Sequence, residues 1–308
     1  MTKPNFPAGL LEIQAVTTEA YLAGARRAGR RVARTSDGTW WVGTERGAIS
    51  RFPAFEVGVL PTAVPRSACR LTSAGIAGYL SDLGPADAAT ATLYVCRRGD
   101  YALAGLNEPV RRHVRRALRE LTYAVVDRET LLREGRAAFR ETRARTGLDD
   151  GTDEEFQHRF SRFYDQPGHH VLGAWRGDAL VAYFTLVVVV DWVEIGGFSC
   201  DAHLEHRPNN GLVHHILDHF LNERGFRVVS YGLSSLQADS NAEGLDHYKR
   251  RIGFIGDPVR RAIVLHPLLA PFVGRTSLSL VRALLARRPR NRLLKKAEGA
   301  LRLAVAES

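Results

Sequence analysis

A lysine set among apolar residues at helical spacing is the first group in this chain with evident chemistry. Lys249 falls with Leu245, Tyr248 and Ile252 on one face of a helix expected over residues 244–252, while Arg250 and Arg251 turn elsewhere. An ammonium on such a stripe needs an anionic partner or a cleft. The competing reading is a lysine at the edge of the stripe that keeps its charge in water. A second group is cationic: Arg111, Arg115 and Arg119 line one helical ridge and Arg112 and Arg116 the next, which suits a phosphate backbone, although a solvated face is the commoner outcome of a charge run. Third, His215 and His219 stand four residues apart beside His214 and Asp218, a spacing that could bind metal. They lie opposite an apolar stripe and lack the glutamate of a metalloprotease helix, so a solvated polar face is expected and no metal.

The elements that must position these groups follow from periodicity and punctuation. Short strands are expected at 39–44, 48–52 and 92–97, with helices at 21–30 and 73–83 and prolines at 53, 61, 65 and 85 between them. Pro109 opens a helix whose apolar residues are Val110, Val114, Ala117, Leu118 and Leu121, leaving the arginines on the other face. A second helix, 130–146, carries Arg133, Arg136, Arg140 and Arg143. Thr152 and Glu155 form a capping box for a third that runs to about Tyr164. Strands at 171–175 and 179–190 flank the tight turn Arg176-Gly177-Asp178, and a further strand covers 193–200. Within it Gly196-Gly197 suggests a bulge or a close backbone approach. A helix from Pro208, ended by Gly225, a strand at 226–231, the Lys249 helix and a strand at 262–266 complete an α/β order.

Composition narrows the class. A chain of 308 residues with 45% hydrophobic and 25% charged residues is globular and long enough for two cores. Its longest apolar run, 180–190, is too short for a membrane span, which needs about 20 residues, and its first residues lack a signal-peptide core. Three scattered cysteines with no C-x-x-C fit a reducing compartment and exclude a zinc knuckle. A cytoplasmic protein is expected, with peripheral contact at the inner membrane face as an option. The net charge of +10 sits mostly in the tail: residues 271–308 hold nine Lys/Arg against two Glu, a net of +7, interleaved with leucines. Such a tail could dock on anionic membrane or RNA, or pack its leucines on the protein itself.

With these elements in order, a family resemblance emerges. The basic helix Arg111-Arg112-His113-Val114-Arg115-Arg116-Ala117, then Tyr231-Gly232-Leu233-Ser234, Gly244-Leu245, Tyr248-Lys249 and Gly253-Phe254 form an ordered set. Over residues 101–254, about half the chain, this set resembles the GNAT superfamily of acyltransferases in the two-unit style of FemAB-like proteins. The resemblance implies tandem GNAT-like units with a mixed central sheet flanked by helices: a degenerate N-terminal unit over 1–120, an acyltransferase unit over 121–270, and a basic helical tail over 271–308.

It also implies a chemistry, which is amide formation by transfer of an acyl or aminoacyl group to an amine. The reacting carbonyl would be held where the strands at 193–200 and 226–231 splay, because backbone N–H groups freed there can stabilise an oxyanion. Lys249, beside Tyr248, would engage substrate phosphate or that carbonyl. Asp201 or His203 would accept the amine's proton, and Tyr231, Ser234 and Ser235 would orient substrate together with Arg111, Arg112 and Arg115. The donor's phosphates would lie at Arg207-Pro208-Asn209-Asn210-Gly211, with Asn209 or Asn210 as N-cap of the following helix. That loop departs from the acyl-CoA pattern Gln/Arg-x-x-Gly-x-Gly/Ala, since its two small positions are Asn210 and Leu212. Acyl-CoA and aminoacyl-tRNA both remain as donor co-substrates, and no tightly bound cofactor is expected. Acceptors include a peptidoglycan precursor, a saccharide amine or a small metabolite. The alternative is a non-catalytic GNAT-like module that binds RNA or anionic membrane.

Overall fold

The computed structural model describes residues 9–43, 47–83, 89–234, 242–269, 271, 273–287, 298–299 and 301–302. In chain order they form α1 (Thr18–Arg27), β1 (Val32–Arg34), β2 (Trp40–Gly43), β3 (Ala48–Phe52), α2 (Ala63–Thr72), β4 (Ile76–Ser81) and β5 (Ala91–Arg97). These are followed by α3 (Glu108–Glu120), β6 (Thr122–Val125), α4 (Arg128–Glu134), α5 (Arg136–Arg145), α6 (Asp153–Tyr164), β7 (His169–Arg176), β8 (Ala179–Val189) and β9 (Trp192–Ser199). The last are α7 (Pro208–Leu217), β10 (Val228–Leu233), α8 (Ala242–Arg251), β11 (Ile255–Leu265) and α9 (Arg275–Arg287).

Two compact units are interleaved along the chain. One comprises Met1–Gly24, Leu93–Ser234 and Asp239–Asp257, the other Ala25–Thr92, Ser235–Ala238 and Pro258–Ser308. The larger unit's sheet runs β5-β10-β9-β8-β7-β6 and is antiparallel except for the β9–β10 pair. The smaller unit's sheet runs β1-β2-β3-β4-β11 and is antiparallel except for β3–β4. Each unit thus holds one parallel pair joined by a crossover helix, β9-α7-β10 in one and β3-α2-β4 in the other. This is a structural repeat that no sequence repeat announces. In the smaller unit the β3–β4 ladder ends at Ser50/Gly78, and Val57 then bridges to Leu80 while the Gly58 N–H donates to the Leu80 carbonyl at 3.0 Å. The chain's own backbone therefore occupies β4 where β3 leaves it.

Several expectations change. The helix read at 73–83 is instead a turn leading into β4, and the helix of this region, α2, ends just before it at Thr72. Pro65 sits in the first turn of α2, where a missing N–H costs nothing, and residues 76–81 take strand form because they pair with both β3 and β11. The single helix over 130–146 is interrupted at Gly135, where a Cβ would lie 2.7 Å from the Leu131 carbonyl oxygen. The last strand begins at Ile255, seven residues earlier than its apolar end suggests, and β6 was not expected at all. The capping box of α6 is present as read, with Thr152 Oγ1 accepting from Glu155 N–H and Glu155 Oε2 from Thr152 N–H.

The core of the larger unit lies on both faces of its sheet. One side gathers Phe184, Val193, Leu212, Ile216 and Phe220, the other Phe139, Phe156, Phe160 and Tyr183. Helix α7 is covered on more than one side, since α3 packs along it. Gly211 lies so close that a Cβ there would stand 1.9 Å from Tyr123 Oη and 3.1 Å from Ala117 Cβ. This overturns the solvated histidine face. His215 and His219 are 6% and 2% exposed, with the His215 ring against Tyr123 and His219 Nδ1 on Glu223. Burial presses the His215 pKa down to about 3.

Candidate active site

The parallel ladder of β9 and β10 ends early. Trp192, Val193 and Glu194 pair with Val228, Val229 and Ser230, and beyond them the two strands no longer pair. Strand β9 continues in register with β8 as far as Ser199/Ala182. Strand β10 bulges against β5 between Ser230 and Leu233, around Gly232, whose φ of +72° lies in the region glycine tolerates. The divergence expected between these strands is therefore present, and its cause is local: one extra residue turns β10 away from its neighbour. The glycine pair of β9 does not make a bulge. Gly196 and Gly197 hold regular register opposite Thr185 and Phe184, and the Phe184 ring fills the space a Cβ on Gly197 would need. Packing, the plainer of the two readings, accounts for Gly197.

Lys249 reaches this point. It is 3% exposed, and its Nζ donates to the Tyr231 carbonyl at 3.1 Å, just past the last β9–β10 pair. The ammonium lies 4.6 Å from the Tyr94 ring centroid and 4.8 Å from that of Tyr231. Among the described residues no carboxylate lies within ion-pair distance of it. Burial lowers its pKa to about 8, partly opposed by Asp246 one turn earlier. The anionic partner expected for a lysine on an apolar stripe is thus replaced by a carbonyl and two aromatic faces. The Tyr231 ring packs against Phe184 and Phe254, and Tyr248 stands beside it with its Oη buried and without a hydrogen bond. Burial, then the neighbouring Tyr231 and Tyr101, push the Tyr248 phenol well above its ordinary range. Tyr94 is a contact that sequence reading missed, because a tyrosine in a strand expected on apolar content alone carries no signal of the partner it will face.

At the far end of β9 a polar cluster fixes the chain. Ser199 is fully buried, with its N–H on Thr142 Oγ1 at 2.8 Å and its Oγ accepting from Arg145 at 3.0 Å and Asn209 Nδ2 at 3.1 Å. Arg145 also forms an ion pair with Asp201. Asp201 is exposed and committed to that guanidinium, whereas His203 is half-buried with its Nδ1 unbonded. Helix α7 begins without a side-chain cap. Arg207 is the N-cap residue, at a φ of +58°, and Asn209 and Asn210 lie inside the first turn. Asn209 is diverted to Ser199, Asn210 is buried, and Gly211 faces α3. Ser234 is half-buried, and Ser235 lies outside the described residues.

The arginines of α3 divide. Glu108 binds Arg111 and Arg115, and Glu120 binds Arg116 and Arg119, so the ridge of Arg111 and Arg115 is partly offset within its own helix, by one carboxylate for two guanidiniums. A different set converges on His113. Burial first, then the charges of Arg207, Arg251, Arg112 and Arg116, hold its imidazole below the usual range. Of these, Arg112, Arg207 and Arg251 form no ion pair among the described residues. Arg251 follows Lys249 by two residues on α8 and was read as merely pointing away. The cations that act on His113 therefore come from α3, the N-terminus of α7 and the end of α8.

No protein-family model and no curated protein matches the sequence. Solved structures do. The structure described as FemX aligns at a TM-score of 0.54 with 13% identity, covering 86% of this chain and 95% of that one. The C-terminal domain of a "Putative Lysylphosphatidylglycerol Synthetase" from Agrobacterium fabrum aligns at 0.50 with 15% identity, covering 78% and 86%. At such identities the likeness establishes the fold. The chain therefore has the tandem GNAT-type fold, with a mixed sheet and flanking helices in each unit, that its sequence resemblance implied.

Proposed function

We propose that the chain is an N-acyltransferase that moves an acyl or aminoacyl group onto an amine at the β9–β10 divergence. The observation that carries this reading is Lys249 Nζ held at the Tyr231 carbonyl, on the strand that leaves the ladder. The acceptor nitrogen attacks the donor carbonyl and forms the new C–N bond. The C–O bond of an ester donor, or the C–S bond of a thioester, breaks, and the departing oxygen or sulfur takes up a proton while the amine gives one up. Negative charge develops on the carbonyl oxygen in between, and a buried ammonium that forms no ion pair among the described residues is placed to offset it. Its lowered pKa also makes it a proton source for the leaving group near neutral pH. His203, with a free Nδ1, suits the role of base better than Asp201, which Arg145 engages.

For the donor, the reading favours aminoacyl-tRNA over acyl-CoA. Gly211 is consumed in packing against Tyr123, so the loop before α7 offers few backbone donors at close range, whereas Arg112, Arg207 and Arg251 offer side-chain charge suited to a polyanion. The lysylphosphatidylglycerol synthetase, by its name, makes a lipid acceptor the first to try, beside the peptidoglycan precursor weighed from the sequence. Mass spectrometry of ligands that co-purify with the protein, followed by transfer assays with charged tRNA and with acyl-CoA, tests the proposal. Transfer abolished in Lys249→Met and weakened in Arg207→Gln supports it. Undiminished transfer in Lys249→Met would sink the assignment of Lys249.

A further inference from the structure

Helix α9 carries two apolar stripes, and a helix of a globular unit needs one. Leu278 is buried and Val281 and Leu285 are half-buried, which accounts for the stripe that anchors α9. On the opposite side Leu280 and Leu284, one turn apart, are 63% and 42% exposed, with Arg287 continuing the same face. Leu268 and Leu269, just upstream, are 74% and 44% exposed. Of the ten large apolar side chains exposed among the described residues, four fall between positions 268 and 284. Scattered exposed leucines require no explanation, but a concentration beside a cationic tail does.

We propose that this face of α9 lies on the surface of a bilayer that contains anionic lipid. Residues 271–308 have a net charge of +7 within a chain of +10, so a second copy would be repelled and a negatively charged surface attracted. Each cation near such a surface strengthens binding about fivefold, while Leu280 and Leu284 supply the apolar insertion that separates an interfacial helix from a counterion cloud. Insertion would be shallow, since no helix among the described residues is long and apolar enough to cross a membrane. This inference does not depend on the acyltransferase reading.

The test is co-sedimentation of the full chain with vesicles of phosphatidylcholine alone or mixed with phosphatidylglycerol, at low and high salt. The expected result is binding to the mixed vesicles only, weakened at least tenfold in Leu280→Asp/Leu284→Asp and weakened again by raising salt from about 0.05 to about 0.5 M. Circular dichroism and thermal melts show whether the variant folds, and Leu280→Ser/Leu284→Ser gives the same reading with less disturbance. No binding to anionic vesicles, or equal binding by both leucine variants, would overturn the proposal. So would a concentration-dependent dimer that the leucine variants abolish, or binding to tRNA that is tighter than to vesicles and indifferent to salt-matched lipid.

Discussion

Replacing Lys249 by methionine should make the protein more stable while removing its activity. Lys249 is buried, and its pKa falls from 10.5 to about 8. At 1.36 kcal/mol per unit, holding the protonated amine there costs ~3 kcal/mol at pH 7. The attraction of the Tyr94 and Tyr231 rings returns at least ~0.5 kcal/mol for each cation–π contact, so Lys249→Met is expected to gain at most ~2 kcal/mol at pH 7. The pH dependence follows from the depressed folded value. Below about pH 8 both states are protonated and the penalty is complete. Between pH 8 and 10.5 the unfolded chain holds more protons than the native one, so the parent's stability rises with pH. The gap between parent and variant should therefore close over that window. Urea unfolding of both proteins at several pH values reads it directly. A variant less stable than the parent at pH 7, with a gap that stays constant up to pH 10, would show that the ammonium is satisfied in the native state and would refute the reasoning.

Other perturbations have equally definite outcomes. Gly211→Ala places a methyl 1.9 Å from Tyr123 Oη of β6 and 3.1 Å from Ala117 Cβ of α3, and should cost ~2–3 kcal/mol in chemical denaturation, with Tyr123→Leu in the same chain recovering part of the loss. Thr152→Ala removes the capping box of α6 and should lower stability by ~1 kcal/mol; an unchanged melting temperature would contradict it. Burial raises the thiol pKa of Cys69 and Cys200 to about 11 and that of Cys96 to about 12. Native protein at pH 8 should accordingly show no fast-reacting thiol towards a disulfide reagent, and unfolded protein should show all three cysteines.

Much of the architecture was legible because it is written locally. The helix at Pro109, the capping box at Thr152, the hairpin around Gly177 and the strand that ends near Ser199 each follow from a few neighbouring residues. So does the placement of Lys249 on an apolar stripe, which a period of 3.6 residues fixes before any partner is known. The failures occur where the deciding contact is remote. Residues 76–81 are a strand because two distant strands pair with them, and nothing in their own spacing separates that from a helix. His215 is buried against Tyr123 of β6, which arrives from far along the chain on the side of α7 that sequence periodicity assigned to water, and His219 is buried with it.

The candidate site divides in the same way. Sequence by itself determined which groups are available: one lysine among apolar neighbours, a run of arginines, and a loop before α7 whose small residues are misplaced for an acyl-CoA pattern. Only the tertiary structure decided which of them meet. It tied Arg111 and Arg115 to Glu108 and Asp201 to Arg145, gathered Arg112, Arg207 and Arg251 around His113, and set Tyr94 beside Lys249. The physical reason is that a residue's type and helical face depend on the few residues around it. Its charge state, its partner and its access to water depend on elements that arrive from far along the chain.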